Sequence, residues 1–567
     1  MTQMQNRQQR KTIDEVARMF EAESVLFAPR VSRLAVMDLN LAPAKTRRLL
    51  VNVWRNHSFE SLISLVDPYC AYGGWQVDFR LGGYDDTLMF AARQEADADL
   101  LWLDSSRFLP RTDFADWLLW LGERLQALRA ATTKPIILAT WLMDGSRGTD
   151  ALQALADDLP DVYFADLGAA CVEAAVPLLD ARSAALAGTP VSSAAQLVLA
   201  RQLACHWLPA SLLPPLKAVA LDLDNTLHSG VLGEDGIHGV QLTPSHLEFQ
   251  RYLKSLQQKG IFLALVSRNE RADVEALFTQ RQDYPLRWED FSAIEVSWGD
   301  KAVAIELVAE TLRIAPDAVL FVDDNPGELA RVTMQLPEVP TVYAYPDASL
   351  TQQAVHFYPG LWRWKLGSDD TKRVQDLKAN AARQALATSV TTPAEYLRNL
   401  QVTLVYRCDS REQLTRLAEL CNKTNQFNLA LRRFNQADLA KRLRRRDSCV
   451  VSVQLRDRFA DSGVIAVIVA ARHGEQLVVE ELCVSCRALG RQLENTIVLF
   501  ALNSMPIFAG CREVAFRVQC GPRNQPAIDW MAQLLDQREV PSRGLHVLPA
   551  QRLMGFVAAE GVTLIKE

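Results

Sequence analysis

Residues Lys217–Gly236 read KAVALDLDNTLHSGVLGEDG. The apolar run Ala218–Leu221 delivers two acids, Asp222 and Asp224, and its aliphatic content reads as a buried strand of a parallel sheet. Both carboxylates then stand at a strand's C-terminal end, the edge at which open α/β sheets bind ligands, so they are placed for chemistry rather than packing. A lone Asp-x-Asp is more often a strand that ends in solvated acids, so the reading depends on what accompanies it.

Three further segments accompany it. Ile261–Val266 is a second apolar run and ends in Ser267, Arg268 and Asn269. Lys301 opens a helical pattern in SWGDKAVAIELVAETL. Ala318–Val322 is a third strand-like run that delivers Asp323 and Asp324, then Asn325, Pro326 and Gly327. Acid, hydroxyl, amine and acid thus follow in order, and four ordered motifs are far more specific than one. They resemble the four motifs of the haloacid dehalogenase (HAD) superfamily. The resemblance implies phosphoryl transfer, with Asp222 as nucleophile, Asp224 as general acid and base, Ser267 donating to a phosphate oxygen and Lys301 balancing charge. It also implies Mg²⁺ held by Asp222, Asp323, Asp324 and the backbone carbonyl of Asp224, hard oxygen ligands that suit this ion. Thr226 and Asn269 fall in the substrate-binding part of these motifs.

Within that superfamily the stretch Thr226–Gly236, the run DDNPGE, NKTNQFNLALRRF at Asn422–Phe434, DSGVIAV from Asp461 and SCRALGRQLE from Ser485 resemble the FkbH-like proteins, glyceryl transferase and phosphatase enzymes of polyketide assembly. That likeness implies a phosphorylated small-molecule substrate, 1,3-bisphosphoglycerate, and a phosphopantetheinylated acyl carrier protein that receives the glyceryl group. The chain departs from the pattern at three places. Val266 stands where many family members have cysteine, and His228 and Ser229 stand where Trp and Gly are common. Cys486 is the nearest alternative acyl-carrying thiol by motif, against the commoner fate of a buried structural cysteine. Two other readings stay open: a phosphatase on a small or carrier-tethered phosphate without acyl transfer, and a carrier-binding scaffold.

Composition sets the outer bounds. A chain of 567 residues is too long for one core and suggests three or four domains. A net charge of −6 argues against wholesale nucleic-acid binding. The ten cysteines include only a lone C-x-x-C, Cys483 and Cys486, so free thiols in a reducing compartment are expected. The N-terminal residues lack the apolar core of a signal peptide, and no apolar run is long enough to span a bilayer. A cytoplasmic enzyme with no membrane partner is the expectation.

The expected fold is multidomain α/β. Residues 1–30 read as a polar arm with a short helix at Ile13–Phe20. Residues 31–214 read as an α/β domain with a strand at Leu34–Met37, a helix through Thr46–Trp54, a strand at Leu100–Leu103, a helix at Phe114–Ala131 and a strand at Pro135–Ala139. By resemblance this is an SGNH-hydrolase fold, but Val36, Met37, Asp38, Leu39 and Asn40 occupy the place of the Gly-Asp-Ser nucleophile turn. Without that serine the domain is expected to be non-catalytic, a docking or pocket-shaping module. Pro209, Pro214 and Pro215 mark a boundary before the HAD-like Rossmannoid domain, residues 215–365. There Ser229–Leu256 reads as a flap or a plain surface loop, and Trp288 and Trp298 as pocket walls or core. Residues 366–392 read as a helical linker, and 393–567 as a GNAT-like α+β domain. In it Arg487, Gly490 and Arg491 fall in a turn that resembles the pyrophosphate-binding turn of acetyltransferases, a candidate pantetheine site. The basic stretch Arg432, Arg433, Lys441, Arg442, Arg444, Arg445 and Arg446 would steer an acidic carrier, or is a solvated helix face.

Overall fold

The computed structural model describes residues 14, 16–41, 47–109, 111–142, 146–182, 190–365, 367–537 and 543–567. The chain forms two compact units, Met1–Lys365 and Leu366–Glu567.

The first unit holds two parallel five-stranded sheets. One contains β1 (Arg47–Arg55), β2 (Trp75–Tyr84), β3 (Ala98–Trp102), β4 (Ile136–Thr140) and β5 (Val162–Asp166), in the order β2-β1-β3-β4-β5. The other contains β6 (Ala218–Leu221), β7 (Phe262–Ser267), β8 (Ala293–Val296), β9 (Val319–Asp323) and β10 (Thr341–Tyr343), in the order β10-β9-β6-β7-β8. Every residue of β3, β4, β6, β7 and β9 is buried, the pattern of strands covered by helices on both faces. In each sheet the chain leaves the first strand to one side and later returns to its other side. A crevice therefore opens beyond the strand ends between β6 and β9, and another between β1 and β3. Leu221 pairs with Val322, so the residues that follow, Asp222 and Asp323, emerge side by side at the first of these crevices.

The upstream sheet corrects the sequence reading. Leu34–Met37 is not a strand but part of a short helix, Arg33–Met37, whose N-cap Ser32 accepts from the Ala35 N–H. The segment read as a helix is β1, from Arg47 onward. The first strand of this sheet therefore ends not at Val36–Asn40 but before Asn56, His57 and Ser58.

The described part of the expected polar arm packs into the first unit. Residues 16–26 are helical and bury Ala22, Glu23 and Leu26, with Phe27 following into the same core. The Tyr72 hydroxyl donates to Glu23 Oε1 at 3.0 Å, and the Tyr343 N–H donates to Oε2 at 3.3 Å. Tyr345 donates to the Phe20 carbonyl at 2.7 Å, so this helix is bonded to the edge of the β6-containing sheet. Ile13, where the expected helix began, lies outside the described residues.

The second unit is built on a seven-stranded sheet of β11 (Thr403–Cys408), β12 (Ser448–Arg456), β13 (Asp461–His473), β14 (Gln476–Val484), β15 (Glu513–Gln519), β16 (Arg543–Pro549) and β17 (Thr563–Lys566). Their order is β16-β15-β14-β13-β12-β11-β17, antiparallel except for the β14/β15 and β11/β17 pairs. The helix Ser368–Ser389, expected as a linker, belongs to this unit. Its Arg383 is buried and donates to Asp457 at 2.8 Å and Asp376 at 2.9 Å; Arg491 donates to the same Asp457 oxygen at 3.0 Å. A helix can pack through such an ion cluster without showing a broad apolar stripe in its sequence. No helix among the described residues is long and apolar enough to cross a membrane.

Candidate active site

The β6 edge gathers the acids. Asp222 follows β6 and is buried, Asp323 ends β9 and is buried completely, and Asp324 follows it. One carboxylate oxygen from each lies within 4.8 Å of the others, a spacing that a single cation can bridge. Lys301, at the start of the helix Lys301–Thr311, reaches between them. Its ammonium stands 3.0 Å from Asp222 Oδ1 and donates to Asp323 Oδ2 at 2.6 Å. Asn325 N–H donates to the other Asp323 oxygen at 2.8 Å and then caps the helix Pro326–Gln335 through its side chain.

Three carboxylates thus face one ammonium, and their acidity records the imbalance. Burial and the negative charge of Asp222 push Asp323 up to about 8. The same two causes push Asp324 up to about 6, against a hydrogen bond from Asn225. Burial raises Asp222 despite Lys301. Burial would lower Lys301, but Asp222 and Asp323 hold it above the usual amine range. A further positive charge would relieve all three acids, and hard oxygen donors around a buried point suit a small divalent cation.

Asp224 is arranged differently. Its Oδ1 accepts from the Leu232 N–H at 2.9 Å and lies 3.3 Å from His228 Nε2, and its Oδ2 accepts from Asn269 at 2.8 Å. Burial would raise this carboxyl, but these donors together hold it below the ordinary carboxylate range. Asn269 also donates to Ser267 Oγ at 3.1 Å, which ties the ends of β6 and β7 together. Thr226 Oγ1 is buried without a hydrogen-bond partner, and Asp222 Oδ1 is buried with the Lys301 ammonium beside it. Asp222, Asp224, Ser267, Asn269, Lys301, Asp323 and Asp324 are therefore brought together, with Thr226 buried on the loop that follows Asp224.

Two partners were not legible. Tyr284 OH lies 3.0 Å from His228 Nδ1, across 56 residues of sequence, so the imidazole bridges a phenol and the Asp224 carboxylate. Nothing local to Tyr284 signals this contact. Asn225, with φ +50°, supplies the bond to Asp324 and accepts from Gly230 N–H at 3.0 Å. At Gly230, φ is +104° and a Cβ would meet Asp235 Oδ2 at 2.6 Å, so this tight return requires glycine. The Ser229–Leu256 insertion carries regular structure: Ser229 bridges to Gln241, Leu232–Gly239 is helical but broken at Gly236 (φ 70°, ψ 173°), and a helix covers Pro244–Gln258. Trp298 is 66 % exposed and donates to Glu270, whereas Trp288 packs against Phe278.

The remaining expected site residues lie in the second unit. Arg487, Gly490 and Arg491 form a turn before the helix Glu494–Ser504, with φ +78° at Gly490. The Arg491 side chain is already held by Asp457, with Asp376 at 3.6 Å. Cys486 is half-buried. β14 and β15 pair only from Gln476/Glu513 to Val479/Phe516 and then part. The chain's own segment fills the opening: Leu429 N–H donates to Leu482 O, Phe427 O accepts from Val484 N–H, and Leu429 O accepts from Gln519 N–H. The basic stretch is largely answered locally. Arg432 and Arg442 pair with Glu480, Arg445 pairs with Asp447, and Arg433 donates to three backbone carbonyls.

No protein-family model matches the chain, and no curated protein matches it. Among solved structures, the N-terminal part of protein BF1531 from Bacteroides fragilis, containing a phosphatase domain complexed with Mg, is similar at 17 % identity and a TM-score of 0.46, over 60 % of this chain and 99 % of that one. A spermidine N-acetyltransferase mutant from Vibrio cholerae is similar at 10 % identity and a TM-score of 0.20, over 27 % of this chain and 96 % of that one.

Proposed function

We propose that the chain is a Mg²⁺-dependent HAD-type phosphotransfer enzyme that forms an aspartyl-phosphate at Asp222. The observation that carries this reading is the cluster of Asp222, Asp323 and Asp324 around Lys301 at the strand ends, with Asp224 beside it. Asp222, Asp323 and Asp324 would hold the ion, which supplies positive charge against the phosphoryl oxygens. Asp222 attacks phosphorus through a carboxylate oxygen, and the bond to the leaving oxygen breaks. Lys301 and the Ser267 hydroxyl offset the charge on the transferring group. Asp224 then takes a proton from the water that cleaves the aspartyl-phosphate.

The finer reading is an acyl-phosphate substrate of the 1,3-bisphosphoglycerate type, with the glyceryl group passed to an acyl carrier protein. A thiol attacks the acyl carbon and expels its phosphate to form the thioester, whereas Asp222 takes the phosphoryl group of the remaining phosphate monoester, whose leaving oxygen receives a proton from Asp224. Cys486 is the candidate acyl-carrying thiol and the turn at Arg487–Arg491 the candidate pantetheine contact.

Phosphate release from acetyl phosphate and from 1,3-bisphosphoglycerate, with Mg²⁺ and with a chelator, tests the core proposal. Turnover that needs Mg²⁺ and disappears in Asp222→Asn is expected; turnover retained in that variant refutes the nucleophile assignment. Mass spectrometry of a phosphopantetheinylated carrier in the same reaction tests the transfer. A glyceryl adduct supports it, and phosphate release with an unmodified carrier leaves a phosphatase.

A further inference from the structure

The crevice at the carboxyl end of the upstream sheet has features that the phosphatase reading does not use. His57 follows β1 and is only 4 % exposed, yet neither imidazole nitrogen has a hydrogen-bond partner. Its ring reaches across the ends of the neighbouring strands. It stacks on Trp102 at 5.5 Å, the last residue of β3, and meets Trp141 edge-on at 5.3 Å, the residue just after β4. Trp141 is 1 % exposed, and its indole nitrogen is likewise unpartnered. Three unpaired polar atoms thus meet in one buried cluster. Leaving such buried groups unpaired is costly, so a cluster of them calls for a cause.

The surroundings are built rather than loose. Asn56 locks the end of β1 to the end of β3 in both directions, donating to the Asp104 carbonyl at 3.2 Å and accepting from the Asp104 N–H at 2.7 Å. Ser105 donates to the Trp141 carbonyl. Trp102 donates to the Ser58 carbonyl at 3.3 Å, which fixes the loop that follows His57. The crevice between β1 and β3 is the place at which the order of this sheet reverses, where ligands of open α/β sheets bind. The β6-containing sheet has a buried, unpartnered polar atom near its own reversal, Thr226 Oγ1.

The chemistry of the cluster defines what would complete it. Burial, with Arg107 and Arg55 nearby, pushes His57 down to about 3, so the ring is neutral and offers one N–H donor and one acceptor. The Trp141 N–H adds a second donor. Two donors suit the oxygens of one carboxylate, and the acceptor suits a hydroxyl. Arg55 and Arg107 are already paired with Glu60 and Asp86, so neither guanidinium is left to answer a second negative charge on the ligand.

We propose that the crevice between β1 and β3 binds a small, singly charged hydroxy acid through His57 and Trp141. The site is separate from the Asp222 cluster, so it stands or falls independently of the phosphatase reading.

The test uses the full chain without Mg²⁺, titrated with racemic lactate and, separately, propionate, which lacks the hydroxyl. Thermal unfolding and tryptophan fluorescence are the readouts. Lactate is expected to raise the melting temperature and change the emission, with propionate about tenfold weaker for want of one hydrogen bond. His57→Phe keeps the ring between the indoles and should abolish the lactate effect without lowering the unliganded melting temperature. Trp141→Phe removes one donor and should weaken lactate several-fold, which keeps the test open if the first variant fails to fold. No lactate effect at millimolar concentrations, propionate binding as tightly as lactate, or lactate binding unchanged in either variant overturns the proposal.

Discussion

Glu23 offers the most direct test of how the N-terminal helix is attached. Burial pushes its carboxyl up from 4.5 to about 8, against hydrogen bonds from Tyr72 and Tyr343 that favour the charge. In the unfolded chain the group ionises near its ordinary value, so between those limits the folded state binds the extra proton. Stability from this group is fully present below about 4.5 and is lost as pH rises toward 8. At 1.36 kcal/mol per unit, and allowing for half-titration at the upper end, the loss between pH 6 and 8 is about 2 kcal/mol. Glu23→Gln has no proton to lose. Its amide can donate to the Tyr72 hydroxyl while its oxygen accepts from the Tyr343 N–H, so the packing survives. Urea unfolding followed by tryptophan emission is the assay, because eleven of the twelve tryptophans lie in the first unit. The variant should unfold with a pH slope shallower than the parent's by that amount over this range. Equal slopes would show that Glu23 is not buried and that the helix is not docked through it.

Four further outcomes follow from the geometry. Asp224→Asn should slow phosphate release by about 10²–10⁴-fold, the usual worth of a positioned acid or base, and a smaller change assigns the proton to another group. Tyr284→Phe leaves His228 without its phenol partner, and should shift the pH profile of kcat while leaving the melting temperature within a few degrees; an unmoved profile removes Tyr284 from the site. Removing Mg²⁺ leaves three crowded acids whose raised values make stability fall as pH rises, so added Mg²⁺ should raise the melting temperature more at pH 8 than at pH 5; an equal rise refutes the ligand assignment. Arg383→Met removes one of the two guanidiniums that Asp376 and Asp457 share in the second unit and should cost about 3–5 kcal/mol in urea unfolding followed by Trp530 emission, measured on a chain in which the other tryptophans are phenylalanine. An unchanged midpoint would show that the cluster is solvated.

The apolar runs that make β6, β7 and β9, and the acids and hydroxyl that end them, were legible because a strand buried on both faces is a short continuous apolar run closed by polar residues. The same rule explains the error upstream. RRLLVNVWR lacks the strict alternation of a half-buried strand, so its pattern suggests a helix, and the short apolar run 34–37 suggests a strand in its place. Patterning along the chain settled the α/β class and the order of the four motifs. It could not show that Lys301 stands between Asp222 and Asp323, that His228 joins Tyr284 to Asp224, that residues 427–429 close the gap between β14 and β15, or that His57 is sealed against two indoles. Each of these joins residues far apart in the chain, and each depends on burial. Burial decides which charges go unanswered and which polar atoms lack partners, and a side chain acquires it only when the sheets are assembled.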